Sequence, residues 1–339
     1  MTRAFNLALF GAGRIGAVHG ANIAARADTS LACVIDPDEE AAAALAVRHR
    51  SEVADEATAL GDAAVDAIVI ASATSTHAEL IEKGLTAGKA VFCEKPIDLS
   101  VGKVRSCLAA VEGSPSPLFV AFNRRFDPAV AEIRQQILAG TIGAVELVTV
   151  TSKDPGAPPI GYLRDSGGLF RDMTIHDFDM CRFLLGEDPV TVSAAAAALT
   201  DQAIAAEGDI DTAAVTMQCA SGRMAVITNS RRASFGYDQR VEVHGSLGTL
   251  RTENLPQHHL VHESGSGVVR PKPHHFFIER YAQSYRAELD HFVAVLRGEQ
   301  QPTPTGVDGL KALLLAEAAY LSLQSGRQVE VEAPSGAVQ

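Results

Sequence analysis

The sequence is short of positive charge: 29 Lys and Arg stand against 41 Asp and Glu, a net charge of −12. Such a surface repels phosphate backbones, which excludes nucleic acid as a natural partner. Cysteine is sparse. The five, at 33, 93, 107, 181 and 219, include no C-x-x-C pair. An odd, scattered set reads as reduced, buried thiols of a reducing compartment rather than a disulfide frame. Clustered Cys/His spacing for zinc is also missing. The doublets His258-His259 and His274-His275 do not replace it, because neighbours on a strand point to opposite faces. No metal site is therefore expected. No apolar run approaches the roughly 18 residues of a membrane span. The early run Phe5–Phe10 is too short for a signal h-region and stops at Gly11. A cytoplasmic protein with no membrane partner is the expectation.

What is present is enough apolar material, 47% of 339 residues, for two cores. Over the first 120 residues two periods alternate. Leu7–Phe10, Leu31–Ile35, Ala67–Ala71, Ala90–Cys93 and Leu118–Ala121 are continuous apolar runs, as in strands buried on both faces. Helical patterns at Ile15–Arg26, Asp38–Arg48, His77–Ala87 and Ser100–Val111 lie between them. Repeated strand–helix–strand units mean a doubly wound parallel sheet.

After Asn123 the pattern becomes β-rich: Val145–Thr151, Val190–Ala197, Thr212–Cys219, Arg223–Asn229, Arg240–His244 and Thr249–Arg251. Turn residues separate these segments, and few helices intervene, so they predict a large, mostly antiparallel sheet. Helices are expected at Pro128–Leu138, Arg171–Leu185, Glu279–Arg297 and Val307–Gln324, with a stiff loop over Asp154–Tyr162. The fold class is α/β: a Rossmann domain over 1–122, then an α+β substrate and oligomerisation domain over 123–339. The helix at 307–324 is the element placed to return to the first domain.

Gly11-Ala12-Gly13-Arg14-Ile15-Gly16 is a G-x-G-x-x-G that follows a strand and opens a helix, the context the motif requires. Gly11 permits the turn, Gly13 lets the backbone approach a pyrophosphate, and Gly16 lets helix and strand pack closely. Arg14 and Ile15 begin the helix whose free N–H groups attract an anion. Asp36 ends the second strand, about 20 residues beyond Gly16. Its carboxylate suits two ribose hydroxyls and repels a 2′-phosphate, which predicts NAD over NADP. Ser72 and Thr74 follow the third clear strand, where ligand-lining loops lie, and are candidates for the nicotinamide ribose. His77 reads equally as a cofactor contact or as the opening of the next helix.

Glu94-Lys95-Pro96 also stands at a strand end, so Lys95 should face the same crevice, although lysines of this kind usually lie at the surface. Pro96 belongs to the class of bonds that tolerate the cis form. Asp172 and His176 are i and i+4, on one helix face. Spacing alone favours a plain helix pair. The same pair suits alcohol oxidation: a histidine base for the hydroxyl proton, an acid to orient its ring, and a lysine ammonium to steady the alkoxide.

With these residues in view, the chain resembles the glucose–fructose oxidoreductase / inositol dehydrogenase family over nearly its whole length. The resemblance implies a Rossmann domain, an open-sheet domain and an active site between them. It makes His176 the base, Asp172 its partner and Lys95 the residue that orients the hydroxyl. Glu94 joins the cofactor set with Lys95. Within the family, Asn123–Asp127, Lys153-Asp154-Pro155, the run Ser166–Met180, Tyr237–Arg240 and Phe277–Tyr285 are similar to inositol 2-dehydrogenases. That likeness implies Arg124, Lys153, Asp154, Tyr237 and Tyr281 as binders of ring hydroxyls, besides the catalytic three. Solvated surface side chains are the plainer alternative for each of the five. It also implies a homo-oligomer, often a tetramer. The implied activity is NAD-dependent oxidation of myo- or scyllo-inositol. An aldose dehydrogenase or keto-sugar reductase of the same family, and a silent NAD-binding sensor or scaffold, stand as alternatives. Gln257–Lys272 matches nothing.

Overall fold

The computed structural model describes residues 4–334. The chain forms two compact units. One joins the residues up to Asn123 with Tyr285–Lys311, and the other joins Arg124–Ser284 with Ala312–Ala333. The first therefore claims a late stretch that a single cut after residue 122 assigns elsewhere.

The first unit is built on β1 (Phe5–Phe10), β2 (Thr29–Ile35), β3 (Glu52–Val53), β4 (Ala67–Ile70), β5 (Ala90–Glu94) and β6 (Leu118–Ala121). Their order is β3-β2-β1-β4-β5-β6, and every pair is parallel. The order reverses between β1 and β4, so the crevice lies at the carboxyl ends of those strands. The helices are α1 (Arg14–Ala24), α2 (Glu39–His49), α3 (Glu56–Gly61), α4 (His77–Thr86) and α5 (Val101–Ala110). Helix α2 is capped by Asp38, which accepts from the amides of Glu40 and Ala41. It also carries Glu39 and Glu40 in its first turn and Arg48 and His49 in its last, which suits its dipole. Helix α1 differs. It opens at Gly13 with no side-chain cap and no acid in its first turn, so its positive end is left uncompensated.

The second unit carries β7 (Val145–Lys153), β8 (Pro189–Ala197), β9 (Thr212–Cys219), β10 (Met224–Ser230), β11 (Asp238–Gly245), β12 (Gly248–Arg251), a separate hairpin of β13 (His262–Ser264) and β14 (Gly267–Val269), and β15 (Val329–Glu330). The main sheet runs β12-β11-β7-β10-β9-β8-β15. It is antiparallel except for β7 with β10. Burial alternates along β9 and β11, as one-sided packing demands. The inner face, with Val148, Val150, Val215, Ile227 and Val243, packs on Phe170, Phe178, Leu184 and Leu315.

The remaining helices are α6 (Pro128–Leu138), α7 (Ile160–Ser166), α8 (Ile175–Leu185), α9 (Gln202–Ala206), α10 (Phe277–Arg280), α11 (Ala282–Leu296) and α12 (Gly306–Ser325). Helix α7 begins inside the expected stiff loop. Pro159 just before it has a fixed φ and no amide to lose, which suits a helix start. The expected helix from Arg171 opens instead as a wide π turn over Phe170–Thr174 that runs into α8. The expected Glu279–Arg297 helix is broken at Tyr281 into α10 and α11. The unassigned Gln257–Lys272 holds the exposed β13–β14 hairpin. Among the described residues, no helix is long and apolar enough to cross a membrane.

Candidate active site

At the carboxyl end of β1 the glycines are held by close packing. Gly11 has φ +106°, and a Cβ there would meet the Ala71 carbonyl oxygen at 2.4 Å. A Cβ on Gly16 would meet the Gly11 carbonyl oxygen at 1.9 Å. Gly13 behaves in the opposite way: a Cβ there would meet nothing within 4 Å. Two glycines thus close the turn, and the third faces open space beside an uncapped helix end. That arrangement fits a pyrophosphate. Arg14 and Ile15 form the first turn of α1. The Asp36 carboxylate accepts from the Ala12 amide at 2.6 Å and from the Asp38 amide at 2.8 Å. Backbone amides so fix its orientation, and its remaining lone pairs can take ribose hydroxyls.

Ser72 and Thr74 lie in the turn after β4, where the Ser72 hydroxyl bonds the Thr76 hydroxyl at 2.7 Å. His77 is buried at the head of α4. Its Nδ1 lies 2.8 Å from the Pro96 carbonyl oxygen and its Nε2 lies 3.1 Å from that of Ser72. The ring ties the loop after β4 to the loop after β5. Burial pulls its pKa below the ordinary imidazole value, against the two carbonyls, which raise it. Lys95 is partly exposed at the end of β5 and precedes Pro96 through a cis bond. Glu94 points inward, its Oε1 2.8 Å from His19 Nε2 on α1.

In the second unit the parallel pair builds the other cluster. Register sets Ser230 beside Lys153, and the Asp154 amide donates to the Ser230 carbonyl at 2.9 Å. Asp154 and Arg231 therefore leave the sheet at the same edge. Arg231, only 1% exposed, donates to Asp172 Oδ2 at 3.3 Å. The Tyr162 hydroxyl donates to Asp172 Oδ1 at 2.9 Å. Asp172 sits in the π turn, and His176 is half-buried in the first turn of α8. Turns of this width are rare and recur at functional positions. Burial pushes the Asp154 carboxyl up to about 7. Arg231 and Arg124 oppose the shift, and the nearby Asp172 and Asp177 add to it.

The other sequence-derived candidates fall in two groups. Lys153 is half-buried, 3.8 Å from Asp238, its register partner on β11. Arg124, Tyr237 and Tyr281 are buried and belong to an internal network. Arg124 Nη1 donates to Asp177 Oδ1 at 2.5 Å, and Nη2 to the Tyr237 hydroxyl at 3.4 Å. The Asn229 amide donates to Asp177 Oδ2 at 2.7 Å. The Tyr281 hydroxyl donates to Gln239 at 3.2 Å, and its ring lies under the Arg124 guanidinium at 5.5 Å. Asp177 is fully buried, so a charge is carried into the core and matched there.

Sequence reasoning passed over Tyr162, Asp177, Asn229 and Arg231. A signal existed for Arg231, which stands just past a strand end, as Lys95 does. Asp177 follows His176 directly. Nothing local marks Tyr162.

Two family models match: an oxidoreductase-family NAD-binding Rossmann fold over residues 5–122, and the C-terminal α/β domain of the same family over 134–331. An inositol 2-dehydrogenase of Rhizobium meliloti is 50% identical, with 95% of this chain and 98% of that protein aligned. A myo-inositol 2-dehydrogenase of Thermotoga maritima is 39% identical over 96% and 98%. The solved scyllo-inositol dehydrogenase of Lactobacillus casei, with bound NAD(H) and scyllo-inositol, superposes with a TM-score of 0.90 at 28% identity, covering 97% of this chain and 99% of that one. With both of its units matched in chain order, the chain belongs to the GFO/IDH/MocA oxidoreductase family.

Proposed function

We propose that the protein oxidises a secondary hydroxyl of a cyclic polyol, myo- or scyllo-inositol, to the keto-inositol, with NAD as the oxidant. The observation that carries the chemistry is Asp172, gripped by Tyr162 and Arg231 four residues ahead of His176. The names borne by the relatives support the substrate class.

Bound NAD supplies the hydride acceptor. Gly11, Gly13, Gly16 and the first turn of α1, with Arg14 and Ile15, would hold its pyrophosphate. Asp36 would hold the adenosine ribose, and Ser72, Thr74 and Glu94 line its nicotinamide side, with His77 behind them. His176 removes the hydroxyl proton. Asp172 steadies the resulting imidazolium, and its two fixed donors keep it aimed. Lys95 orients the hydroxyl and stabilises the alkoxide as it forms. Lys153, Asp154, Arg124, Tyr237 and Tyr281 are assigned to recognition of the ring hydroxyls, directly or by shaping the wall. A polar set suits a ligand with many donors and little apolar surface.

NADH formation with separate inositol isomers, D-glucose and D-xylose tests the reading. Turnover with an inositol is expected. Turnover with aldoses alone would move the protein to a sugar dehydrogenase, and NAD binding without turnover would make it a silent sensor or scaffold. A cytoplasmic homotetramer is part of the same proposal. Five buried thiols and the solvent-facing side of the main sheet support it, and light scattering of the purified protein tests the assembly.

A further inference from the structure

Behind the Lys95 strand end lies a cluster of which the proposed reaction uses Glu94 alone. His19 of α1, Glu94 of β5 and Glu288 of α11 bring their polar atoms within 4.8 Å of one another, all inside the first unit. His19 is 1% exposed and its ring packs edge-on against Phe92 and Tyr285. Glu288 is fully buried, and neither of its carboxyl oxygens has a hydrogen-bond partner.

Three occupants of this cluster can be weighed. The His19–Glu94 separation of 2.8 Å is a hydrogen-bond length. It is shorter than the roughly 3.3 Å that two ligands of one tetrahedral ion keep between them. That disfavours a metal. Two bare carboxylates this close, away from water, are also disfavoured, because like charges in a poorly polarisable medium repel strongly. A proton resolves both problems. Glu94 keeps some solvent access and has His19 as partner, so it is the better carboxylate. Glu288 has neither.

We propose that Glu288 is a protonated acid at neutral pH, leaving Glu94 the single carboxylate of the cluster, and that it serves as a positioning residue for the strand end that carries Lys95. Burial, then the Glu94 charge, pushes the Glu288 carboxyl well above the usual range, in agreement. The cluster joins α1, which opens at the glycine turn, to β5, which ends one residue before Lys95, and to α11. A second negative charge there would compete with Glu94 for His19 and disturb the peptide leading to Lys95. The positioning role rests on the reading of Lys95 as a catalytic residue.

The full-length protein with Glu288→Gln and Glu288→Ala tests the proposal. Glutamine copies the neutral acid and alanine removes it. Glu288→Gln is expected to keep kcat for inositol oxidation near that of the wild type. Glu288→Ala is expected to lose about 10–100-fold in kcat, the scale of an ångström-level misplacement. Its NADH affinity, read from the fluorescence of the nucleotide, should stay near that of the wild type, because Asp36 and the glycine turn are untouched. Infrared spectra at neutral pH should show a neutral carboxylic acid band in the wild type that Glu288→Gln lacks, and this readout survives even if the alanine variant fails to fold. Glutamine as harmful as alanine, an alanine variant with wild-type kcat, no difference in the acid band, or a stoichiometric divalent cation in the purified protein would each overturn the proposal. An active Lys95→Met variant would instead remove the catalytic reading of Lys95 and the positioning role with it, while the infrared band still reports the protonation of Glu288.

Discussion

The buried pair Arg124–Asp177 lets stability and substrate binding be separated. In Asp177→Asn the side chain keeps its shape but has one acceptor oxygen, where Arg124 at 2.5 Å and Asn229 at 2.7 Å both donate to it. Either amide orientation sets a donor against a donor, and the Arg124 charge is left unmatched in the core. Breaking such a pair costs about 3–5 kcal/mol. At roughly 2–4 °C per kcal/mol for a domain of this size, the melting temperature should fall by about 6–20 °C. The assay is thermal unfolding followed by circular dichroism. Arg124→Met should cost a similar amount by orphaning Asp177. The double variant Arg124→Met, Asp177→Leu should cost clearly less than the sum, with a coupling of about 2–3 kcal/mol. If Arg124 also recognises the polyol, the double variant will recover stability while its KM for inositol stays raised. A fall below about 2 °C in Asp177→Asn, or additive single effects, would refute the argument that this pair carries matched buried charge.

Further outcomes follow from other parts of the molecule. Tyr162→Phe removes one of the two donors on Asp172 and should lower kcat about 2–10-fold with little change in KM, by the usual value of one hydrogen bond; an unchanged rate would detach Tyr162 from the site. His176→Ala should lose about 10²–10⁴-fold in kcat while still binding NADH, and a full rate would end its role as base. Gly16→Ala forces a Cβ into the Gly11 carbonyl, so NADH binding should be lost; nucleotide fluorescence with wild-type affinity would contradict the packing. Asp154 is held protonated to about pH 7 in the fold, above its unfolded value near 3.8. Its contribution to stability is therefore full below about pH 4 and is lost as pH rises towards 7. Asp154→Asn should become more stable relative to the wild type over that window, as chemical denaturation at several pH values would show, and a pH-independent difference would exclude the shift.

The first unit was readable because its signals are local. Strands buried on both faces are continuous apolar runs, and the Gly11–Gly16 turn names its own neighbours. The strand that escaped, β3, has two exposed residues and no pattern to see. In the second unit the strands were legible by alternation but their partners were not. Alternation is the same for parallel and antiparallel neighbours, so nothing announced that β7 pairs in parallel with β10. That pairing sets Arg231 beside Asp154 at the strand ends, and from there Arg231 reaches Asp172, 59 residues away. The i,i+4 spacing of Asp172 and His176 could be read, whereas the residues that hold Asp172 could not. Glu288 gave no sign at all. On an amphipathic helix an acid is normally solvated, and only the arrival of β5 and α1 makes this one buried.

The late stretch of the first unit bears on the order of synthesis. Phe292 of α11 packs against Phe92 and Phe119 of the first sheet, and the Val120 amide of edge strand β6 donates to the Pro304 carbonyl at 3.0 Å. Those partners leave the ribosome only after strands β7 to β12 and the β13–β14 hairpin have been made. The nucleotide-binding half, although encoded first, waits with an incomplete core and an uncovered edge strand until about nine-tenths of the chain exists. The second unit waits longer still, for Ala312–Ala333, which brings Leu315 to its core and β15 to its sheet. Vectorial synthesis therefore lets neither unit close early, and a fragment ending near residue 123 would emerge with that edge bare.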